Sequence, residues 1–124
     1  MIRLIAAFLG VVLTALPAPA LELIMVEQDG CHWCAVWNEE IGPIYPKTDE
    51  GRAAPLRRID LHRPVPEDLK IGTRPSYTPT FILMKDGTEF DRLEGYPGEH
   101  FFWPMIAEMI ARANGATPVM ENQK

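Results

Sequence analysis

Cys31-His32-Trp33-Cys34 lies between two segments of different habit. Before it runs Leu21-Glu22-Leu23-Ile24-Met25-Val26-Glu27, an aliphatic strand candidate. After it runs Ala35-Val36-Trp37-Asn38-Glu39-Glu40-Ile41, which reads as a helix ending at Gly42-Pro43. The cysteines therefore fall where a strand feeds a helix N-terminus, with Gly30 allowing the tight turn between them. The first turn of a helix carries N–H groups without intrahelical partners and the positive end of the macrodipole, and both favour an anion. A cysteine there ionises readily, and the thiolate is the reactive form of sulfur. The spacing sets the second sulfur one turn away, close enough to make and break a short-loop disulfide.

These are the only two cysteines in the chain. Other uses of the pair fit less well. A bridge closing so short a loop removes little chain entropy, so it is a poor staple. A metal site needs about two more ligands, and His32, His62 and His100 are scattered. Covalent haem attachment needs a histidine where Ala35 stands. Redox exchange is the favoured reading, with no cofactor beyond a Cys31–Cys34 disulfide; an inert bridge and a metal site are the alternatives.

The N-terminus has the form of a secretory signal over residues 1–20. Arg3 supplies a positive start, Leu4 to Leu16 is apolar but too short to span a bilayer, and Ala18-Pro19-Ala20 resembles a cleavage site. Cleavage near Leu21 or Glu22 would deliver the chain to an oxidising compartment, where disulfides persist, with no stable membrane insertion afterwards. About 100 residues then remain, one domain's worth, expected over residues 21–115 with a frayed tail at 116–124. The chain has 12 Lys and Arg against 17 Asp and Glu, a net charge of −5. Such an acidic domain is a poor candidate for binding nucleic acid or anionic lipid. Arg57, Arg58 and Arg63 read as a small solvated cluster.

Along the rest of the chain, Lys47 to Ala54 suggests a short helix broken at Gly51. Leu56 to Leu61 alternates as a second strand, expected to be central and parallel to the first. A helical turn is expected at Glu67 to Lys70. Thr80 to Lys85 is a strong strand, Asp86-Gly87 a hairpin turn, and Thr88 to Glu94 the returning strand, with Phe90 and Leu93 its apolar members. A last helix places Phe101, Phe102, Met105, Ile106, Met109, Ile110 and Ala113 on one face, with Asn114-Gly115 at its end and Pro104 fitting either a first turn or a kink. The fold class is α/β, with a mixed central sheet flanked by helices.

Several residues become candidates for the chemistry. Cys31, at the exposed helix start, is the expected nucleophile, and Cys34, one turn in, the expected resolving thiol. His32 is either a solvated loop residue or a charge that tunes the thiolate. Trp33 is either a lid or a contact for the partner. Glu27 is the nearest acid whose strand position could aim it inward below the pair as a proton acceptor. Pro79, directly before a strong strand, has no N–H for a ladder. A cis Thr78–Pro79 bond would leave the Thr78 backbone free for an incoming peptide, and Tyr77 would flank it.

Gly30-Cys31-His32-Trp33-Cys34, Thr78-Pro79-Thr80 and the Asp86-Gly87 hairpin together resemble the thioredoxin superfamily over Leu21 to Ala113. The resemblance implies a thioredoxin-like fold, a cis proline at Pro79 facing the disulfide, and catalytic cysteines at Cys31 and Cys34. The chain departs from it in two places: His32-Trp33 replaces Gly-Pro, and the family's buried acid would fall at Met25. Val26 to Cys34, Gly42 to Thr48, and Glu94 to Glu99 before Phe101-Phe102-Trp103 are similar to the SoxS-type thioredoxins of bacterial sulfur-oxidation systems. That likeness implies a periplasmic reductant of the SoxYZ carrier, fed by a membrane thiol donor. The competing functions are an oxidase or isomerase of exported proteins, and a redox-inert module holding a partner around Trp33, Tyr77 and Pro79.

Overall fold

The computed structural model describes residues 10, 12–13 and 20–115. The signal expected over residues 1–20 lies mostly, and the tail expected over 116–124 wholly, outside the described residues. The elements follow in the order β1 (Leu21–Glu27), α1 (His32–Glu40), a 3-10 turn (Tyr45–Lys47), α2 (Asp49–Ala53), β2 (Leu56–Asp60), β3 (Thr80–Lys85), β4 (Thr88–Glu94) and α3 (Glu99–Ala113). The sheet order is β2-β1-β3-β4. β1 pairs with β2 in parallel and with β3 antiparallel, so the sheet is mixed.

β1 and β3 are interior strands, and both of their faces are covered. Leu23, Met25, Phe81 and Leu83 pack on one side against residues of α1 and α3. Ile24, Val26, Ile82 and Met84 pack on the other against Leu69, with Ile59, Leu61, Val65 and Ile71 at its margin. Two covered faces explain why these strands read as apolar runs rather than alternating ones. β2 lies at the edge and not at the centre, correcting the sequence expectation. Its residues are half-buried or exposed, and its arginines suit an edge, where charge blunts pairing with other chains.

The connection after β2 covers the second sheet face without a helix. The helical turn expected at Glu67 to Lys70 is a single turn, Leu69 N–H donating to Pro66 O at 3.0 Å, after which Lys70 bridges to Thr88. In the hairpin, Asp86 and Gly87 both have positive φ, 50° and 78°, the geometry that matches strand twist. Phe90 is not an inward member of β4. The register shifts so that Leu83 faces Asp91 while Met84 faces Glu89. Phe90 is thus the extra residue of a bulge and is 41% exposed.

α3 buries Phe102, Ile106, Met109, Ile110 and Ala113. Phe101 and Met105, expected on the same face, lie at its margin and are 66% and 39% exposed. Pro104 sits in the second turn, and the helix continues past it to Ala113. α1 is fastened by Trp37, fully buried against Phe81 and Phe102 with ring centroids 5.3 and 5.8 Å away. Gly51 lies inside α2 rather than breaking it, and Thr48 caps that helix by accepting from Gly51 N–H at 3.0 Å. Among the described residues no helix is long and apolar enough to cross a membrane.

Candidate active site

The two cysteines form a disulfide with their Cα atoms 5.3 Å apart. The chain leaves β1 at Glu27, and Gln28 O accepts from Cys31 N–H at 3.4 Å, with Gly30 at φ 75°. Cys31 is the N-cap of α1, with extended backbone, and its Sγ accepts from Cys34 N–H at 3.1 Å. Sulfur thus takes the acceptor place that Ser, Thr, Asp or Asn oxygens usually hold. Negative charge on this atom would meet an N–H donor and the positive end of the helix. Cys31 is partly exposed, whereas Cys34 is 4% exposed within the core beside Trp37.

An open cleft of about 600 Å³ flanks the disulfide, with Glu27, Gln28, His32 and Asp60 in its wall beside both cysteines. Glu27 faces this cleft and does not point into the interior beneath the pair. It is held outward by Arg58, whose Nη1 lies 2.7 Å from Glu27 Oε2. Arg58 also lies 3.4 Å from Met25 Sδ, and its guanidinium stands 5.6 Å over the Trp37 ring. Arg57 pairs with Asp68 and Glu22. Two of the three arginines read as solvated are therefore committed to ion pairs. Met25 itself is fully buried.

His32 is exposed at the first position of α1, its ring edge-on to Trp33 with centroids 4.9 Å apart, and Trp33 is 56% exposed. The Thr78–Pro79 bond is cis. Around it, Thr80 Oγ1 donates to Tyr77 O at 2.8 Å and Gly95 N–H donates to Pro79 O at 2.7 Å. Tyr77 O–H donates to Glu94 Oε2 at 2.7 Å. That bond to a carboxylate, with slight desolvation and the Glu94 charge adding to it, raises the phenol pKa. Among the described residues neither the N–H nor the C=O of Thr78 has a backbone partner.

Glu27, His32, Cys31 and Cys34 thus share one cleft, while Trp33, Tyr77 and Pro79 are not in its lining. Thr78 is joined to it through Gln28, whose Nε2 donates to Thr78 Oγ1 at 2.8 Å. Gln28, Arg58 and Asp60 are site residues that the sequence reading passed over. Among the described residues no three His, Cys, Asp or Glu side chains gather where they could hold a metal ion.

A bridge this short adds little as a staple, yet its sulfurs are placed unequally, one at the surface on a helix N-terminus and one behind it. With the mixed sheet and the cis-proline loop, that defines a thiol–disulfide oxidoreductase of thioredoxin-like fold. No protein-family model matches the chain. The crystal structure of the periplasmic thioredoxin SoxS from Paracoccus pantotrophus, in its reduced form, is 54% identical with a TM-score of 0.73, covering 75% of this chain and 98% of that one. The thioredoxins of Malassezia sympodialis and Fasciola hepatica, both 18% identical with TM-scores of 0.52 and 0.50, share the fold. They cover 75% and 72% of this chain and 77% and 80% of their own. A Brevibacillus choshinensis "Disulfide bond formation protein" is 29% identical over 79 residues, 60% of each chain and so less than two thirds of that relative's length. The chain belongs to the thioredoxin superfamily, among its SoxS-type thioredoxins.

Proposed function

We propose that this chain is a periplasmic reductant of a protein disulfide or mixed disulfide, acting through Cys31 and Cys34, and that it serves the SoxYZ sulfur carrier. One observation carries the redox assignment: Cys31 is partly exposed and its Sγ accepts from Cys34 N–H, while Cys34 is buried behind it. The likeness to Paracoccus pantotrophus SoxS supports the periplasm and the sulfur-oxidation setting, and the Arg3 to Ala20 pattern supports export.

In the reduced enzyme Cys31 thiolate attacks one sulfur of the target disulfide. A Cys31–target bond forms, and the other target sulfur leaves as thiolate. Cys34 gives up its proton and attacks Cys31 Sγ. The Cys31–Cys34 bond forms and the second target sulfur leaves, so two electrons have passed to the target. Glu27, in the cleft wall, accepts the Cys34 proton. His32, Trp33 and Tyr77 contact the target, while Thr78 pairs with its backbone beside Pro79. A thiol donor at the membrane reverses the exchange and restores the dithiol.

The direct test is reduction of insulin driven by dithiothreitol. The wild-type enzyme is expected to outpace the enzyme-free control, and equal rates would sink the reading. In the reduced protein, Cys31 should be alkylated with a midpoint below about 8.5, the free-thiol value; a midpoint at or above it would contradict the helix-terminus argument. Glu27→Gln should slow release of the mixed disulfide by about tenfold or more, within the range for general-base loss, and leave the first attack nearly unchanged. Stopped-flow traces with both phases intact would remove Glu27 from the mechanism.

The Brevibacillus likeness favours a second reading, in which the same steps run backwards and oxidise exported thiols. Equilibration with glutathione separates the two. A potential near that of thioredoxin, about −270 mV, fits a reductant, and one near −120 mV fits an oxidant.

A further inference from the structure

The β1–β3 ladder ends at Val26 and Thr80. The next residue, Pro79, has no N–H and turns away through its cis bond. Continuing the antiparallel register two places sets Gln28 opposite Thr78, and there a side chain takes over from the backbone. Gln28 Nε2 donates to Thr78 Oγ1 at 2.8 Å, and Gln28 Oε1 lies 2.9 Å from His62 Nε2. An amide whose N–H faces Thr78 offers only oxygen to the ring, so His62 presents Nε2–H whether neutral or charged. His62 N–H in turn donates to Asp60 Oδ1 at 2.8 Å, at the end of β2. One amide therefore joins the ends of β1 and β2 to the approach to β3.

We propose that Gln28 is a positioning residue for protein substrates. It fixes the Tyr77–Pro79 loop relative to Cys31, so that the Thr78 backbone stands ready for an extended target segment when the target sulfur reaches Cys31. This rests on the reading of the site given above. Gln28 is suited to the task because it shapes both halves of the site. Its backbone oxygen closes the turn into Cys31, and its side chain holds Thr78.

Tyr77 O–H to Glu94, Thr80 Oγ1 to Tyr77 O and Gly95 N–H to Pro79 O tie the loop on its β4 side, while Arg74 to Leu61 O and Arg63 O and Arg92 to Thr73 O hold the connection ahead of it. Among the described residues only Gln28 reaches the Thr78 side chain. The segment from Leu61 to Pro79 contains no helix or strand, and such a connection must be ordered before it can dock a peptide. Ordering in the free enzyme removes that entropic term from binding. The effect should therefore appear in substrate affinity rather than in the sulfur chemistry.

The test is steady-state insulin reduction by the full chain. Gln28→Met keeps the length of the side chain and removes both hydrogen bonds. It should raise KM about fivefold, the scale of one net hydrogen bond, with kcat changed by less than about twofold. Gln28→Glu should bring KM back to within about twofold of wild type, since its carboxylate accepts from both Thr78 O–H and His62 Nε2–H. Adding Thr78→Val to Gln28→Met should raise KM no further than either change alone, because both remove the same bond. An unchanged KM in Gln28→Met, a Gln28→Glu variant as impaired as Gln28→Met, a fall confined to kcat, or additive KM effects would each overturn the proposal. A wild-type enzyme inactive on insulin is a different result and would overturn the reading of the site itself.

Discussion

Cys34→Ser is expected to leave the target protein covalently attached to Cys31, and Cys31→Ser to reduce insulin turnover to the rate of the enzyme-free control. The two variants separate the halves of the exchange. Without Cys31 no sulfur is both at the surface and capped by a helix N–H, so the first bond does not form. Without Cys34 the first bond forms and then waits for an external thiol. An attacker one helical turn away acts at an effective concentration far above any dissolved thiol, so the adduct's lifetime should lengthen by about 10³-fold or more. Non-reducing electrophoresis of the variant expressed in its host, with mass spectrometry of the shifted band, reads the result. Recovery of SoxYZ would support the sulfur-oxidation assignment. An adduct with other exported proteins would keep the exchange and discard that substrate. No adduct at all would remove Cys34 as the resolving residue.

The parts of this fold that were legible in the sequence are those set by local pattern. β1, β3 and β4 have the bounds read from their apolar runs and from Asp86-Gly87, because a hairpin turn and a buried strand carry their signals within a few residues. The Cys31–Cys34 pair was legible for the same reason, since strand, glycine, cysteine and helix are contiguous. What could not be read was decided by neighbours distant in sequence. Leu56 to Asp60 alternates as an inner strand could, its two arginines being the one local hint of an edge, and here β3 takes the place beside β1. Phe90 reads as an apolar member of its strand, but the bulge opposite Leu83 and Met84 leaves it unpaired and exposed. Phe101 and Met105 fit a wide helical stripe, and the core offers room only for the narrower one through Phe102, Ile106 and Met109. The orientation of Glu27 depends on Arg58 across the β1–β2 pair. Gln28 is likewise placed by a distant partner: only the β1–β3 register, continued past Pro79, sets it opposite Thr78.

Gly51→Ala is expected to destabilise the protein by about 3 kcal/mol, the upper end of what overpacking usually costs. Helix propensity alone argues the opposite sign, since alanine inside a helix is favoured over glycine by about 1 kcal/mol. Position decides against propensity. A Cβ built on Gly51 would overlap Tyr45 O and lie 2.7 Å from Tyr45 C and 3.1 Å from Pro46 Cα. All of these are backbone atoms, so relief requires moving the 3-10 turn rather than rotating a side chain. That turn cannot move freely. Tyr45 is fully buried, its O–H donates to Ala54 O at 2.7 Å, and its ring packs beside Trp37 and stacks on Trp103. Trp37 in turn seats the helix that carries Cys34. Displacing Tyr45 should therefore loosen the support of the disulfide as well as lower stability. Urea unfolding of the oxidised protein measures the first effect, and the alkylation rate of Cys34 in the reduced protein measures the second. A midpoint equal to or above wild type would mean that the backbone at Tyr45 yields without loss, and that the close approach of Gly51 is not what selects glycine there.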